Sequence, residues 1–275
     1  MSQTSLSLSH FTHSTERLYF FFSLQLVLAA QYILQCTPNM AAASFFQPIS
    51  TRPVYVAIIG TAGRKEDKDK ITKAIFDRMV EHAKTTIRDV WKLPNERVVL
   101  VSGGAACADH VAVALFLQEQ LNPEGTPYKG LQLFLPCDFN LSSSSNACAV
   151  DNGSSDWRSN PGRTVNYLHE TFSAKLGNST NSLHQIYMAH AFGAVLDTKG
   201  KGFLSRNKSI ARIANRVIAY TWGTDPQRPK DGGTSNTWDQ CGHCTRLHVP
   251  LDQIKDDAGD HSSELKHNAN ATSTL

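Results

Sequence analysis

The chain has 275 residues, of which 41% are hydrophobic and 9% aromatic, a composition typical of a globular domain with a generous core. Its 27 lysines and arginines against 24 acidic residues leave a net charge of +3, which is too small and too dispersed to indicate a DNA-binding surface, so DNA is not an expected partner. The six cysteines are ordinary for this length, and several lie in predicted core elements, which indicates a reducing compartment.

Residues 1–51 are predicted to form a leader that precedes the folded domain. Within it, residues 18–36 are strongly apolar, as in a signal sequence or a membrane anchor. Three glutamines interrupt this run, and Met40 offers an alternative start that would place residues 1–39 outside the functional protein. If the chain were secreted, Asn207 would be a glycosylation acceptor inside the predicted ligand site. We therefore expect a cytoplasmic protein without membrane contact, with secretory or membrane targeting through residues 18–36 as the alternative.

The first predicted strand, residues 54–59, is an apolar run that ends at the turn GTAGR. Gly60 and Gly63 in this turn would let the backbone approach a phosphate closely. Thr61 and Arg64 would add a hydroxyl and a charge, although an ordinary tight turn with a surface arginine is the alternative. The turn lacks the full GxGxxG fingerprint, and no acidic residue ends the next strand, so a standard NAD site is not expected.

A helix is predicted over residues 67–91, and the strand, turn and helix that follow it are the clearest in the chain. Residues 98–101 form a β-branched apolar run typical of a central parallel strand, and the glycine turn 102–104 ends it. Asp109 precedes a helical apolar spacing, so the free N–H groups of the helix start should face the turn. At this edge of a parallel sheet, ligands bind. Asp109 would either accept a hydroxyl of the ligand or stabilise the helix N-terminus.

A third strand is predicted over residues 131–135, and a long insertion follows it. Residues 138–162 lack any period and contain a run of serines, which indicates a surface loop that is either a lid or disordered. Helical spacing returns over residues 165–172 and 186–192. Arg163, near the first of these helix starts, would either contribute to a phosphate site or be solvated.

The last third of the chain predicts a short helix, a fourth strand over residues 217–222, a helix capped by Thr234 and a final strand over residues 246–251. Residues 252–275 are polar and are predicted to be a disordered tail. Strands and helices alternate, so we predict an α/β fold with a Rossmann-like open, mainly parallel sheet and helices on both faces. One domain would span residues 52–251.

Three motifs resemble, in the right order, those of the SLOG superfamily of Rossmann-like proteins. They are SGGAACAD at 102–109, SRNKSIA at 205–211 and GGTSNT at 232–237. The superfamily includes the DprA/Smf proteins and the LOG nucleotide phosphoribohydrolases, and the resemblance covers residues 54–251. It implies a nucleotide or nucleotide derivative as the ligand, bound either by a monomer or by a homo-oligomer.

The chain departs from the superfamily pattern at several positions. Cys107 stands where a glycine is usual, and Asn207 replaces a lysine of the LOG pattern, which is closer to the DprA-like branch. Asp239 aligns with the LOG glutamate. The resemblance therefore implies, as an alternative function, cleavage of a nucleoside 5′-monophosphate at its N-glycosidic bond, with Arg206 holding the phosphate and Asp239 beside the oxocarbenium-like centre. Otherwise Arg206 is an anchor without catalysis and Asp239 an exposed helix residue.

The leading hypothesis is a nucleotide-binding protein that needs no cofactor and no metal. DprA-like binding of single-stranded DNA is the least expected function, because the net charge is nearly neutral. The predicted ligand-binding residues are Gly60, Thr61, Gly63, Arg64, Ser102, Gly103, Gly104, Asp109, Arg206, Asn207, Gly232, Gly233, Thr234 and Thr237. Arg206 and Asp239 would be catalytic in the hydrolase alternative.

The sequence CGHC at Cys241–Cys244 matches the active-site motif of protein disulfide isomerase. Here it falls at the predicted end of a helix, where no helix dipole would lower the pKa of the first thiol, so a redox role is not expected. A zinc site is not expected either, because one CxxC with His243 and His248 lacks the second ligand pair of structural sites.

Overall fold

The computed structural model describes residues 52–177, 181–223, 225–230 and 232–254. The predicted leader 1–51, with its apolar run 18–36, and residues 255–275 of the predicted tail lie outside the described residues. None of the helices in the described part of the chain is long and apolar enough to cross a membrane.

Six parallel strands form one sheet in the spatial order β6-β3-β2-β1-β7-β8. The strands of this sheet are β1 (Val54–Gly60), β2 (Val98–Ser102), β3 (Gly130–Phe134), β6 (Val195–Asp197), β7 (Arg216–Thr221) and β8 (Thr245–Pro250). The short strands β4 (Phe139–Asn140) and β5 (Cys148–Ala149) pair separately as an antiparallel hairpin. Because the six strands run in parallel, all of their carboxyl ends meet at one edge of the sheet.

Helices cover both faces of the sheet, which confirms the predicted Rossmann-like α/β fold. They are α1 (Lys73–Thr85), α2 (Val111–Leu121), α3 (Pro161–Leu176), α4 (Ser182–Ala191), α5 (Phe203–Ile213) and α6 (Gly233–Gln240). Alternate residues of β1 enter the two cores: Val56 and Ile58 pack with α1 to α4, whereas Ala57 and Ile59 pack with α5 and α6. This is the period-2 alternation of a strand that is buried on both sides.

The helix predicted over residues 67–91 is divided into three parts. A 3-10 turn (Lys65–Lys70) precedes α1, and a π-helical turn (Thr86–Val90) follows it. The helix starts at Lys73 because the Thr72 hydroxyl oxygen accepts the N–H of Ile75 (3.2 Å), which is an N-cap.

The insertion 138–162 is ordered, although its sequence has no period. Asn160 forms the hydrogen bonds that hold it together. Its side-chain Nδ2 donates to Asp151 Oδ1 (2.5 Å) and to the Ser154 carbonyl (2.8 Å). Its Oδ1 accepts the N–H of Arg163 (3.4 Å) at the start of α3. Asn166 of α3 then pairs with both backbone groups of Ala149 (2.8 Å each). Local Asn and Asp hydrogen bonds therefore replace the regular backbone pairing that a periodic sequence would provide.

The domain continues slightly beyond its predicted end. Residues 252–254 are helical, the Asp252 carboxylate accepts the N–H of Gly223 (2.8 Å), and Ile254 is buried. The expectation that the chain frays from residue 252 is therefore wrong for these three residues.

Candidate functional site

Gly60 ends β1 at a point where three segments of backbone meet. Thr61 donates its N–H to the Tyr220 carbonyl of β7 (2.8 Å), and its own carbonyl accepts the N–H of Ala108 (3.1 Å). A Cβ on Gly60 would collide with the Tyr220 carbonyl oxygen and lie 2.5 Å from the Ala108 Cβ. The glycine is thus required for the close approach of β1, β7 and the segment after β2. The atoms that surround Gly60 therefore belong to other segments of the protein.

In the rest of the first turn, the Thr61 hydroxyl is already hydrogen-bonded to other groups of the protein. The Thr61 hydroxyl donates to Asp67 Oδ2 (3.4 Å) and accepts the N–H of Gly63 (3.1 Å). Gly63 has a φ of 68°, which favours glycine. Arg64 is the member of this turn that is exposed, and its guanidinium donates no hydrogen bond to any of the residues that the structure describes.

Asp109 joins the turns after β1 and β2. Its Oδ1 accepts the N–H of Gly60 (3.1 Å), and its backbone carbonyl accepts the hydroxyl of Ser102 (2.7 Å). Burial raises the pKa of Asp109, while Arg206 and the backbone N–H groups of Ala105, Gly60 and Gly103 act in the opposite direction. The carboxylate therefore uses N–H groups that the sequence analysis assigned to a ligand.

Arg206 of α5, a helix on the other face of the sheet, also contacts the turn after β2 and Asp109. Its guanidinium is buried; Nη1 donates to the Gly103 carbonyl (3.0 Å) and lies 4.0 Å from Asp109 Oδ2. A Cβ on Gly103 would be 2.7 Å from the Arg206 Cζ, so the absence of a side chain makes room for the guanidinium. Burial lowers the pKa of Arg206, and the nearby Asp109 carboxylate raises it.

Asn207 connects Arg206 to the start of α6. Its Oδ1 accepts hydrogen bonds from Arg206 Nε (3.4 Å) and Nη2 (3.3 Å), and its Nδ2 donates to the Gly233 carbonyl (3.1 Å). Asparagine suits this position because its side chain has an acceptor and a donor at once. The hydrogen bond to Gly233 thereby holds the motif GGTSNT (232–237) against the motif SRNKSIA (205–211).

The start of α6 differs in detail from the prediction. Its N-cap is Gly232, with a φ of 120°, so the prediction that Thr234 caps this helix is wrong. The Thr234 hydroxyl instead donates to the Gly60 carbonyl (2.8 Å), and the Thr237 hydroxyl donates to the Gly233 carbonyl (3.0 Å). Because glycine has no side chain to cap with, the N–H groups of the first turn of α6 lack that partner.

Two arginines contact the same aromatic ring, that of Phe203, and both interact with the buried Asp109 carboxylate. The Cζ atoms of Arg64 and Arg206 are 5.3 and 5.4 Å from the centroid of the Phe203 ring. Although Arg64 is exposed as a residue, partial desolvation of its guanidinium lowers its pKa, and the Asp109 carboxylate raises it. With two guanidinium groups near the Asp109 carboxylate, this cluster has a surplus of positive charge.

Asp239 does not join this cluster. It is exposed on α6 and forms an ion pair with the equally exposed Arg228 (3.2 Å), whereas Arg206 is paired with Asp109. Arg206 and Asp239, the two residues to which the resemblance assigns catalytic roles, therefore have different ionic partners. The buried neighbour Trp238 fixes the inward side of the helix, and Asp239 lies on its outward side. Asp109 is the carboxylate that faces Arg206.

Cys107 adopts the left-handed conformation, with a φ of 63°. This backbone conformation favours glycine, the residue that the superfamily pattern has at this position. Burial raises the pKa of the Cys107 thiol strongly, and this suppresses thiolate chemistry at the site.

The CGHC motif lies at the end of α6, as predicted, with Cys241 at the C-cap. Burial raises the pKa of the Cys241 thiol to about 12. Burial also raises the pKa of Cys244, whose Sγ donates to the Ala214 carbonyl (3.0 Å). Thiols in this state are poor nucleophiles near neutral pH.

His169 of α3 has a structural role that was not predicted from the sequence. Its Nε2 donates to the Gly104 carbonyl (3.0 Å), and its Nδ1 accepts the hydroxyl of Ser182 (2.9 Å). The carbonyl acceptor fixes this tautomer. The ring thus holds the glycine turn after β2 in place through the Gly104 carbonyl. No sequence motif indicates this role.

Comparisons with known proteins give one informative match. No family model and no solved structure matches the chain. The uncharacterized protein R261 of Acanthamoeba polyphaga mimivirus is 35% identical to it over 204 residues, and the alignment covers 72% of this chain and 96% of the viral protein.

Proposed function

The chain belongs to the same family as the mimivirus protein R261, and we propose that it binds a nucleotide or a nucleotide-derived ligand at the carboxyl edge of its sheet. The observation that carries this proposal is the convergence of three distant segments on one cluster. Arg206 contacts the Gly103 carbonyl, and Asn207 contacts the Gly233 carbonyl. An arrangement of glycine turns and arginines at this edge is the usual setting for a bound phosphate.

Arg64 and Arg206 have different tasks in this proposal. Arg206 is buried, and its donors are directed at Gly103 and Asn207, so it positions the turns and contributes charge. Arg64 is exposed at the rim, with its guanidinium over the Phe203 ring. It is the group that would donate hydrogen bonds directly to a phosphate.

Binding without turnover is the function that the geometry favours over hydrolysis. Cleavage of an N-glycosidic bond needs a carboxylate that reaches the ribose. Asp239 is engaged with Arg228 at the surface, and Asp109 is buried with its oxygens directed at backbone N–H groups. The phosphoribohydrolase alternative is therefore the weaker one, and release of adenine from AMP that is abolished by Asp239→Asn would reverse this order.

A cytoplasmic location belongs to the same proposal. Asn207, which a secreted chain would expose for glycosylation, is buried and hydrogen-bonded on both sides of its amide. A glycan on this nitrogen would disrupt the connection between α5 and α6.

Arg64→Gln is expected to weaken the binding of AMP by about 10-fold to 100-fold, because it removes charged hydrogen bonds to the phosphate. Isothermal titration calorimetry of the full chain measures this change. Arg212→Gln is the matched control, since Arg212 is exposed near the end of α5, and it should leave the affinity unchanged. If the wild-type chain fails to bind AMP, or if Arg64→Gln binds it equally well, the proposal is wrong.

A further inference from the structure

A cleft of about 370 Å³ lies on the same molecule, outside the residues of the proposed phosphate site. It lies between the carboxyl end of β3, the insertion 138–162 and the start of α5, and its lining includes Asp138, Arg158, Lys201 and Gly202. This volume is within the range of small-molecule sites, about 300–1,000 Å³. None of these lining residues belongs to the proposed phosphate site.

Two aromatic residues are sequence neighbours of residues that line this cleft. Trp157 precedes Arg158 in the insertion, and Phe203 follows Gly202 at the start of α5; their ring centroids are 6.1 Å apart at an angle of 40°. Trp157 is 48% exposed, whereas Trp222 and Trp238 are buried. The Trp157 ring is therefore accessible from solvent, in contact with a second aromatic ring.

Phe203 links the cleft to the positive cluster. The same ring that lies near Trp157 carries the guanidinium groups of Arg64 and Arg206. Arg158 in turn lies over the Trp157 ring, with its Cζ 4.7 Å from the centroid. Flat hydrophobic surface and positive charge are therefore adjacent, which matches a ligand with a flat ring at one end and an anionic group at the other.

We infer that Trp157 and Phe203 hold the nucleobase of the ligand, with its phosphate toward Arg64. This inference rests on the proposed function and assigns it a ligand class: a nucleotide with an intact base, preferably the larger purine. The insertion 138–162 then determines ligand selectivity, and the sheet edge provides the anion site that any phosphorylated ribose would share.

The insertion is built to hold Trp157 in place. Asn160 fixes the loop through Asp151 and Ser154, and a Cβ on Gly162 would collide with the Val150 carbonyl, so α3 packs tightly against the loop. A stacking residue on a preorganised segment loses little conformational entropy when the ligand binds.

Trp157→Ala is expected to weaken AMP binding by about tenfold and to leave the binding of ribose 5-phosphate unchanged, because stacking on the base is lost and the anion contacts remain. Calorimetric titration of the full chain with both compounds measures this difference. In the wild-type chain, AMP should bind about tenfold more tightly than ribose 5-phosphate. Trp157→Phe should preserve most of this preference, and Phe192→Ala, which removes an exposed aromatic ring at the end of α4, should preserve all of it.

Three results would overturn the inference, and they separate it from the proposed function. If AMP and ribose 5-phosphate bind the wild-type chain equally, the phosphate site stands and the base site does not. The same conclusion follows if Trp157→Ala retains the preference for AMP over ribose 5-phosphate. If neither compound binds the wild-type chain, the proposed function and this inference both fail.

Discussion

Replacing Arg206 with Met is expected to lower the free energy of unfolding by about 3–5 kcal/mol, because it leaves the buried Asp109 carboxylate without its guanidinium partner at 4.0 Å. It also leaves the Gly103 carbonyl and Asn207 Oδ1 without their donors. Urea unfolding at pH 7 measures the loss.

The double variant Asp109→Asn with Arg206→Met separates the charge effect from packing. It should lose less stability than the two single variants together, because no uncompensated charge stays buried. Arg228→Met is the matched control, since Arg228 and Asp239 are both more than half exposed; its effect should stay within about 1 kcal/mol. A loss below about 1 kcal/mol for Arg206→Met would contradict the structural role given to this residue.

Acidification is expected to destabilise the protein steeply between pH 6.5 and 4.5 through two buried histidines. Burial lowers the pKa of His110 to about 4 and that of His169 to about 3, against about 6.5 in an unfolded chain. The unfolded state therefore binds these protons first, so the stability is present above pH 6.5 and is lost as the pH falls toward the folded-state pKa values. At about 1.4 kcal/mol per pH unit and histidine, the loss at pH 4.5 is roughly 5 kcal/mol.

His110→Phe isolates half of this effect. The ring packs near Phe76 and Phe172, and its Nδ1 has no hydrogen-bond partner among the described residues. A phenyl ring therefore keeps the packing and loses one hydrogen bond, that of Nε2 with Gln185 Oε1 (2.6 Å). The loss of stability between pH 7 and 4.5, followed by urea unfolding, should be smaller by about 2–3 kcal/mol in this variant. His243→Gln, at an exposed position, should leave the pH dependence unchanged. An unaltered profile for His110→Phe would show that His110 does not titrate as described.

The order of strands and helices could be predicted because apolar runs and glycine turns are local signals. The strands β1, β2, β3, β7 and β8 follow such runs closely. Strand β6 was missed because only three of its residues pair, at the edge of the sheet, with β3. The insertion was predicted to be irregular but not to be ordered, since its order depends on Asn160, whose partners lie within a few residues but follow no period.

The convergence of distant residues at the sheet edge could be predicted more fully than their contacts. The glycines after β1 and β2 were expected to face a ligand, yet Gly60 and Gly103 are first of all required by Tyr220 and Arg206. Asp109 had two local interpretations, and only the fold brings it to Arg206, which is 97 residues away in sequence. Trp157 gave one signal that went unused, a large aromatic residue within the otherwise polar stretch 151–160.

The most direct test of the central claim is an amide chemical-shift titration of the ¹⁵N-labelled full chain with AMP. The account predicts that the largest changes occur at Arg64, Gly233 and Thr234, because these residues surround the proposed phosphate position, while the amides of β8 stay unchanged. Saturable changes that leave these three amides untouched, or the absence of any change at millimolar AMP, would contradict it.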